Sequence, residues 1–198
     1  MTLRVAVLAS GGGTNLQALI DHFGELGPRA AAKIVLVASN RRDAYALERA
    51  RKAGITAEVF STADDGDLVS LLEAHSIDLI ALAGYLKMIP RSIVSRYRGR
   101  IVNVHPGLLP GFGGPGMYGA RVHEAVLKSG AKTTGVTVHL VDDEFDNGPV
   151  IAQWRVPVLD GDTAESLAAR VLAVEHIVFP RAVEMIASLN ERNFLADF

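Results

Sequence analysis

Short apolar runs alternate with amphipathic stretches through the first half of the chain. Runs rich in Val, Ile and Leu at Arg4–Ala9, Lys33–Ser39, Thr56–Phe60, Asp78–Ala83 and Arg100–Val104 predict strands buried on both faces of a parallel sheet. The stretches between them, Asn15–Phe23, Asp43–Lys52, Asp67–His75 and Pro90–Tyr97, repeat apolar residues every three or four positions, as Leu16, Leu19 and Ile20 do, and predict crossover helices. Later the rhythm changes. Tyr118–Lys128 reads as a helix, and Thr133–Val141 and Val150–Val158 read as long strands joined by the acidic stretch Asp142–Pro149. Strands that close in sequence pair antiparallel, so the expected architecture is a three-layer, Rossmann-like α/β fold with a mixed, mostly parallel sheet and helices on both faces. Asp162 or Thr163 is placed to cap a last helix over Ala164–Leu189, with Glu165 returning the capping interaction and a bend at Pro180. Asn190–Phe198 reads as a loose tail. Without repeats or a Pro/Ser-rich linker, residues 1–198 are expected to form one domain whose halves share one sheet.

Composition narrows the classes. A net charge of -2, 49% hydrophobic and 21% charged residues describe an ordinary globular chain, neither disordered nor a basic nucleic-acid binder. The lack of cysteine excludes disulfides, thiolate metal sites and cysteine nucleophiles. Apolar runs stop short of the roughly 20 residues that a membrane span needs, and MTLRVAVLAS reads as a first strand rather than a signal peptide, so a cytoplasmic protein is expected. Glycine is uneven: three of the 19 stand together at Gly11–Gly13, and six fall between Gly107 and Gly119. Backbone there is expected to approach something closely.

Three features fall at strand ends, where doubly wound sheets bind ligands. Ser10–Asn15, S-G-G-G-T-N, follows the first strand and opens the first helix, so its N–H groups and the helix dipole suit an anion. Leu16 breaks G-x-G-x-x-G, Ser39-Asn40 offers no acidic partner for a ribose, and the P-loop lysine is missing. A monophosphate ester is therefore favoured over a dinucleotide or ATP; a tight turn without ligand is the plain alternative. In Asn103-Val104-His105, the amide and imidazole share one strand face and could stabilise an oxyanion at a carbonyl carbon. The loop Asp142–Pro149 fails the EF-hand pattern at Asn147 and Gln153, so calcium is rejected. One of its carboxylates could instead pair with His105, raising its pKa and fixing its tautomer. Thr137 and His139 share a strand face and form a possible supporting pair, whereas His22 and His75 read as surface or boundary residues. His123-Glu124 lacks the second histidine of a zinc protease motif, and no serine occupies a G-x-S-x-G elbow. Direct group transfer is left.

Taken in order, L-A-S-G-G-G-T-N-L-Q-A-L, L-A-G-Y-L-K-M-I, N-V-H-P-G-L-L-P, G-V-T-V-H-L-V-D-D-E-F-D-N-G-P-V-I-A-Q and the late V-E-H resemble the phosphoribosylglycinamide (GAR) formyltransferases of the folate-dependent formyltransferase family nearly end to end. The resemblance implies the formyltransferase fold and direct transfer of a formyl group from 10-formyltetrahydrofolate, without a metal, to the GAR amine in purine synthesis. It implies Asn103, His105 and Asp146 as a catalytic trio, Gly12, Gly13, Thr14 and Asn15 on the phosphate, and Glu175 on the ribose or amine end. The folate would lie on Leu86, Lys87, Met88, Ile89, Asn103 and the backbone of Asp142, Asp143 and Glu144. Residues 1–100 would then be the phosphate-binding half and 101–189 the catalytic and folate-binding half. Partners would be these two small molecules, with no nucleic acid or membrane, in a monomer or homodimer. Three departures stand out: no arginine in Ser61–Asp67 near the folate tail, leaving Lys87 to substitute, Gly107 in place of a serine, and a long G-F-G-G-P-G-M-Y-G loop. The alternative is a formyltetrahydrofolate hydrolase or another 10-formyltetrahydrofolate-dependent formyltransferase.

Overall fold

The computed structural model describes residues 2–190. The chain runs β1 (Leu3–Leu8), α1 (Thr14–Leu26), β2 (Ala32–Ser39), α2 (Tyr45–Lys52), β3 (Thr56–Val59), α3 (Asp65–Ala74), β4 (Leu79–Leu82), α4 (Arg91–Arg96), β5 (Ile101–His105), α5 (Ala120–Ser129), β6 (Thr133–Leu140), β7 (Val150–Pro157) and α6 (Ala164–Asn190). All seven strands join one sheet in the order β3-β2-β1-β4-β5-β6-β7. The first five are parallel, while β6 runs antiparallel to both β5 and β7, as the short β6–β7 connection requires.

The apolar runs of β1, β2, β4 and β5 are strands with both faces covered, whereas β3, expected to be buried too, is an edge strand and largely exposed. In β1, Val5 and Val7 enter one core and Ala6 and Leu8 the other. The first core packs α1, α2, α5 and α6 on the sheet; the second packs α3 and α4. Strand order reverses between β1 and β4, so the loops after these strands splay apart and open a crevice at their carboxyl ends. Ser10 ties its rim: its N–H donates to the Gly84 carbonyl, its Oγ donates to Asn40 Oδ1, and the Leu86 N–H donates to that Oγ.

One expectation about α6 changes. Thr163 is the N-cap, its Oγ1 accepting from the Ser166 N–H, but Ser166, not Glu165, returns the bond, its Oγ accepting from the Thr163 N–H. Ser166 stands three residues after the cap, where the reciprocal group belongs; Glu165 is one position early. Asp162 instead braces the turn, accepting from the Leu159 N–H and from both Arg170 Nη groups. The helix continues through Pro180 without a break. The tail expected over Asn190–Phe198 lies outside the described residues beyond Asn190, which closes α6. Among the described residues no helix is long and apolar enough to cross a membrane.

Candidate active site

On β5, Val102 and Val104 point into the core under α1 and α6, which sends Asn103 and His105 to the opposite face. The antiparallel register sets Asn103 opposite His139 and His105 opposite Thr137. The β6–β7 connection folds back over this end. Gly148 lies so close to β6 that a Cβ would collide with the Leu140 carbonyl oxygen, while Asp146 adopts a left-handed backbone with φ 55°. A short polar side chain tolerates that conformation better than most. The bend carries Asp146 to both imidazoles: Oδ2 lies 3.5 Å from His105 Nδ1 and Oδ1 3.6 Å from His139 Nε2.

Hydrogen bonds define the ring protons. His105 Nε2 lies 2.7 Å from the Phe112 carbonyl oxygen, a pure acceptor, so the His105 proton sits on Nε2. His139 Nδ1 donates to the Leu140 carbonyl at 2.8 Å, leaving Nε2 to accept from Asn103 Nδ2 at 3.0 Å. That contact is within hydrogen-bond range whereas 3.6 Å to Asp146 is not, so His139 chiefly orients the Asn103 amide. Thr137 serves differently. Its hydroxyl donates to the Gly107 carbonyl and accepts from the Leu109 N–H and Gln153 Nε2, bracing the chain leaving β5. The expected Thr137–His139 pair thus divides between loop and amide.

One charge expectation holds only in part. Burial, with His105 only 3% exposed, pushes its ring below the ordinary histidine value; Asp146 and the Phe112 carbonyl pull upward and do not prevail, and His139 adds to the lowering. The carboxylate raises the ring's value as expected, but burial outweighs it and the resting ring is neutral at pH 7. Asp146 is pushed up by burial, but His139, His105 and the Gly114 N–H outweigh this and hold its carboxyl below the usual range.

These groups line a cleft of about 490 Å³. Exposed Leu86, Lys87 and Met88, buried Ile89, Asp142 and Glu144 line it, as do Asn15 and Glu175. Asn15 Nδ2 donates to Glu175 Oε2 at 2.6 Å, and the buried Asn15 Oδ1 has no partner among the described residues. Burial pushes the Glu175 carboxyl up, against the Asn15 bond. Gly12, Gly13, Thr14 and Asp143 are not in the cleft wall; Thr14 faces a separate groove with Arg49 and His176. Sequence reasoning missed His123, buried on α5 and lining the cleft with an unpartnered Nδ1, and the Phe112 carbonyl on His105. Only His123's place in V-H-E-A-V, inside an amphipathic helix, could have hinted at its burial.

Fold and site together define a mixed-sheet α/β protein whose amide, imidazole and carboxylate converge in one cleft. The family model "Formyl transferase" matches residues 3–183, and the chain belongs to that family. It is 42% identical to a chloroplastic phosphoribosylglycinamide formyltransferase of Arabidopsis thaliana over 95% of this chain and 65% of the relative. It is also 42% identical to the bovine trifunctional purine biosynthetic protein adenosine-3 over 93% of this chain, which spans 18% of that protein. The crystal structure of a phosphoribosylglycinamide formyltransferase from Anaplasma phagocytophilum shares 40% identity and a TM-score of 0.87, covering 95% of this chain and 88% of that one.

Proposed function

We propose that this chain transfers the formyl group of 10-formyltetrahydrofolate to the amine of 5-phosphoribosylglycinamide, giving formyl-GAR and tetrahydrofolate in de novo purine synthesis. The observation that carries the reading is the convergence of Asn103, His105 and Asp146 in one cleft with Leu86–Ile89 and the Asn15–Glu175 pair. Leu86, Met88 and Ile89 offer a pterin an apolar bed, Lys87 offers the folate tail a cation, and Asp142, Asp143 and Glu144 contribute backbone. Glu175 and the unpartnered Asn15 Oδ1 suit the hydroxyl or amine donors of a ribosylglycinamide. A Cβ at Gly11 or Gly12 would meet nothing within 4 Å, so open space lies over the loop that Gly12, Gly13, Thr14 and Asn15 would present to the phosphate.

The amine nitrogen bonds the formyl carbon and the carbonyl oxygen becomes anionic. The second Asn103 Nδ2–H donates to that oxygen, and the His105 ring, its Nε2–H held by the Phe112 carbonyl, gains proton affinity at Nδ1 as negative charge develops beside it. Asp146 holds the ring and shares the charge it acquires. Collapse breaks the bond from carbon to N10, and the proton lost by the amine ends on N10. Holding the reactants side by side removes several kcal/mol of barrier. The one-domain organisation, with residues 1–100 holding phosphate and 101–189 holding folate and the trio, belongs to the same proposal, as does a cytoplasmic monomer or homodimer.

The test follows absorbance of the folate product with and without GAR. Product should form only with GAR; equal deformylation without acceptor would assign a hydrolase instead, and no deformylation in either arm would overturn the reading. Asn103→Ala should lower kcat about 10²–10³-fold with folding intact by circular dichroism.

A further inference from the structure

The first-strand loop is gripped from one side by α2. The Gly11 carbonyl accepts from the Ala46 N–H at 3.1 Å, and the Gly12 carbonyl accepts from Arg49 Nε at 2.8 Å. Gly13, at φ 70°, leaves no room for a side chain: its Cβ would stand 2.8 Å from both Cα and Cβ of Ala46. In a trans peptide the C=O and the following N–H point in opposite directions. Fixing these two carbonyls on α2 therefore turns the Gly12 and Gly13 N–H groups away from it, toward the open side of the loop. Arg49 is itself fixed, donating from Nη1 to Gln17 Oε1 on α1 at 3.1 Å and lying over the Tyr45 ring at 5.1 Å from its centroid. It joins α1, α2 and the loop, and it brings a positive charge against the Gly12 carbonyl.

We propose that Arg49 is a positioning residue for the substrate's phosphate: it aims the Gly12 and Gly13 N–H groups and contributes the loop's cationic field. This rests on the functional reading above. It differs from a packing role, because the Nε–H to carbonyl bond acts on the peptide plane that carries an anion-binding N–H.

The experiment compares wild type with Arg49→Met and Arg49→Lys. Readouts are kcat and KM for GAR and for its dephosphorylated riboside, KM for the folate, inhibition by inorganic phosphate, and melting. Arg49→Met should raise KM for GAR and the phosphate inhibition constant about tenfold, with riboside and folate constants within about twofold, and Arg49→Lys should recover part of the loss. Equal losses on GAR and riboside, a fall in kcat alone, or no change would overturn the proposal. Should Arg49→Met fail to fold, Arg49→Lys decides, since it keeps the charge and loses the Nε bond. If wild type transfers no formyl group to GAR, the functional reading fails. Arg49 is then judged by whether inorganic phosphate shifts the Gly12 and Gly13 amide resonances in wild type and less in Arg49→Lys.

Discussion

At the scale of single residues, the charge state of His105 decides how the site works. Its ring is buried with a proton on Nε2, and the carboxylate at 3.5 Å does not offset the cost of burying an imidazolium. A neutral ring that gains proton affinity as the oxyanion forms is useful only while it is deprotonated at rest. Activity should therefore hold at pH 7 and fall on acidification through a value below the ordinary 6.5 of histidine, seen as the acid limb of a kcat/KM profile. Asp146 raises the His105 value, so Asp146→Asn should move that limb to still lower pH while cutting kcat. Loss of activity on the alkaline side near neutrality, with none on the acid side, would mean that the working ring is cationic and would sink this account.

At the scale of elements, the site depends on register and on one tight fold-back. Asn103 meets His139 because β5 and β6 pair antiparallel, and Asp146 arrives because Gly148 packs directly on the Leu140 carbonyl. Gly148→Ala should push the connection off β6 and withdraw Asp146; we expect a loss of about 1–3 kcal/mol in denaturant unfolding, as for overpacked sites, and a fall in kcat similar to that of Asp146→Asn. Wild-type kcat in a folded Gly148→Ala variant would refute the link. Thr163→Ala should cost about 1 kcal/mol as a lost cap, and Glu165→Ala much less, because Ser166 closes the reciprocal pair. Period-two spacing made the shared face of Asn103 and His105 legible, and strands covered on both sides announced themselves as apolar runs. The contact of Asn103 with His139 was not legible, since it needs a register across 36 residues. Nor was the cap partner, which turns on one helical position, or the Phe112 carbonyl on His105, which depends on the path of a glycine-rich loop.

At the scale of the whole molecule, the cleft asks the fold to hold titratable groups out of water, and these act on stability with different signs. His105, His123 and His176 have folded values lowered first by burial, so the unfolded chain takes up protons as pH drops below 6.5 and stability falls with acid. Asp146 and Asp162 lie below 3.8, and their contribution is lost only as pH falls beneath that value. Glu175 runs the other way: burial raises it above 4.5, so the native state binds the extra proton and stability is lost as pH rises through the folded value. At neutral pH the fold thus bears the cost of a buried carboxylate that the proposed substrate would relieve. Glu175→Gln keeps an oxygen for the Asn15 amide and removes the charge. It should melt higher than wild type at pH 7–8, each unit of pKa difference corresponding to about 1.4 kcal/mol. The gap should close below pH 4.5, where the carboxyl is protonated in both states, while KM for GAR rises at neutral pH. Melting scans from pH 4 to 8 decide it: a gap independent of pH would assign the gain to packing, and a variant less stable at pH 8 than at pH 4 relative to wild type would show that the carboxylate is not strained by its site.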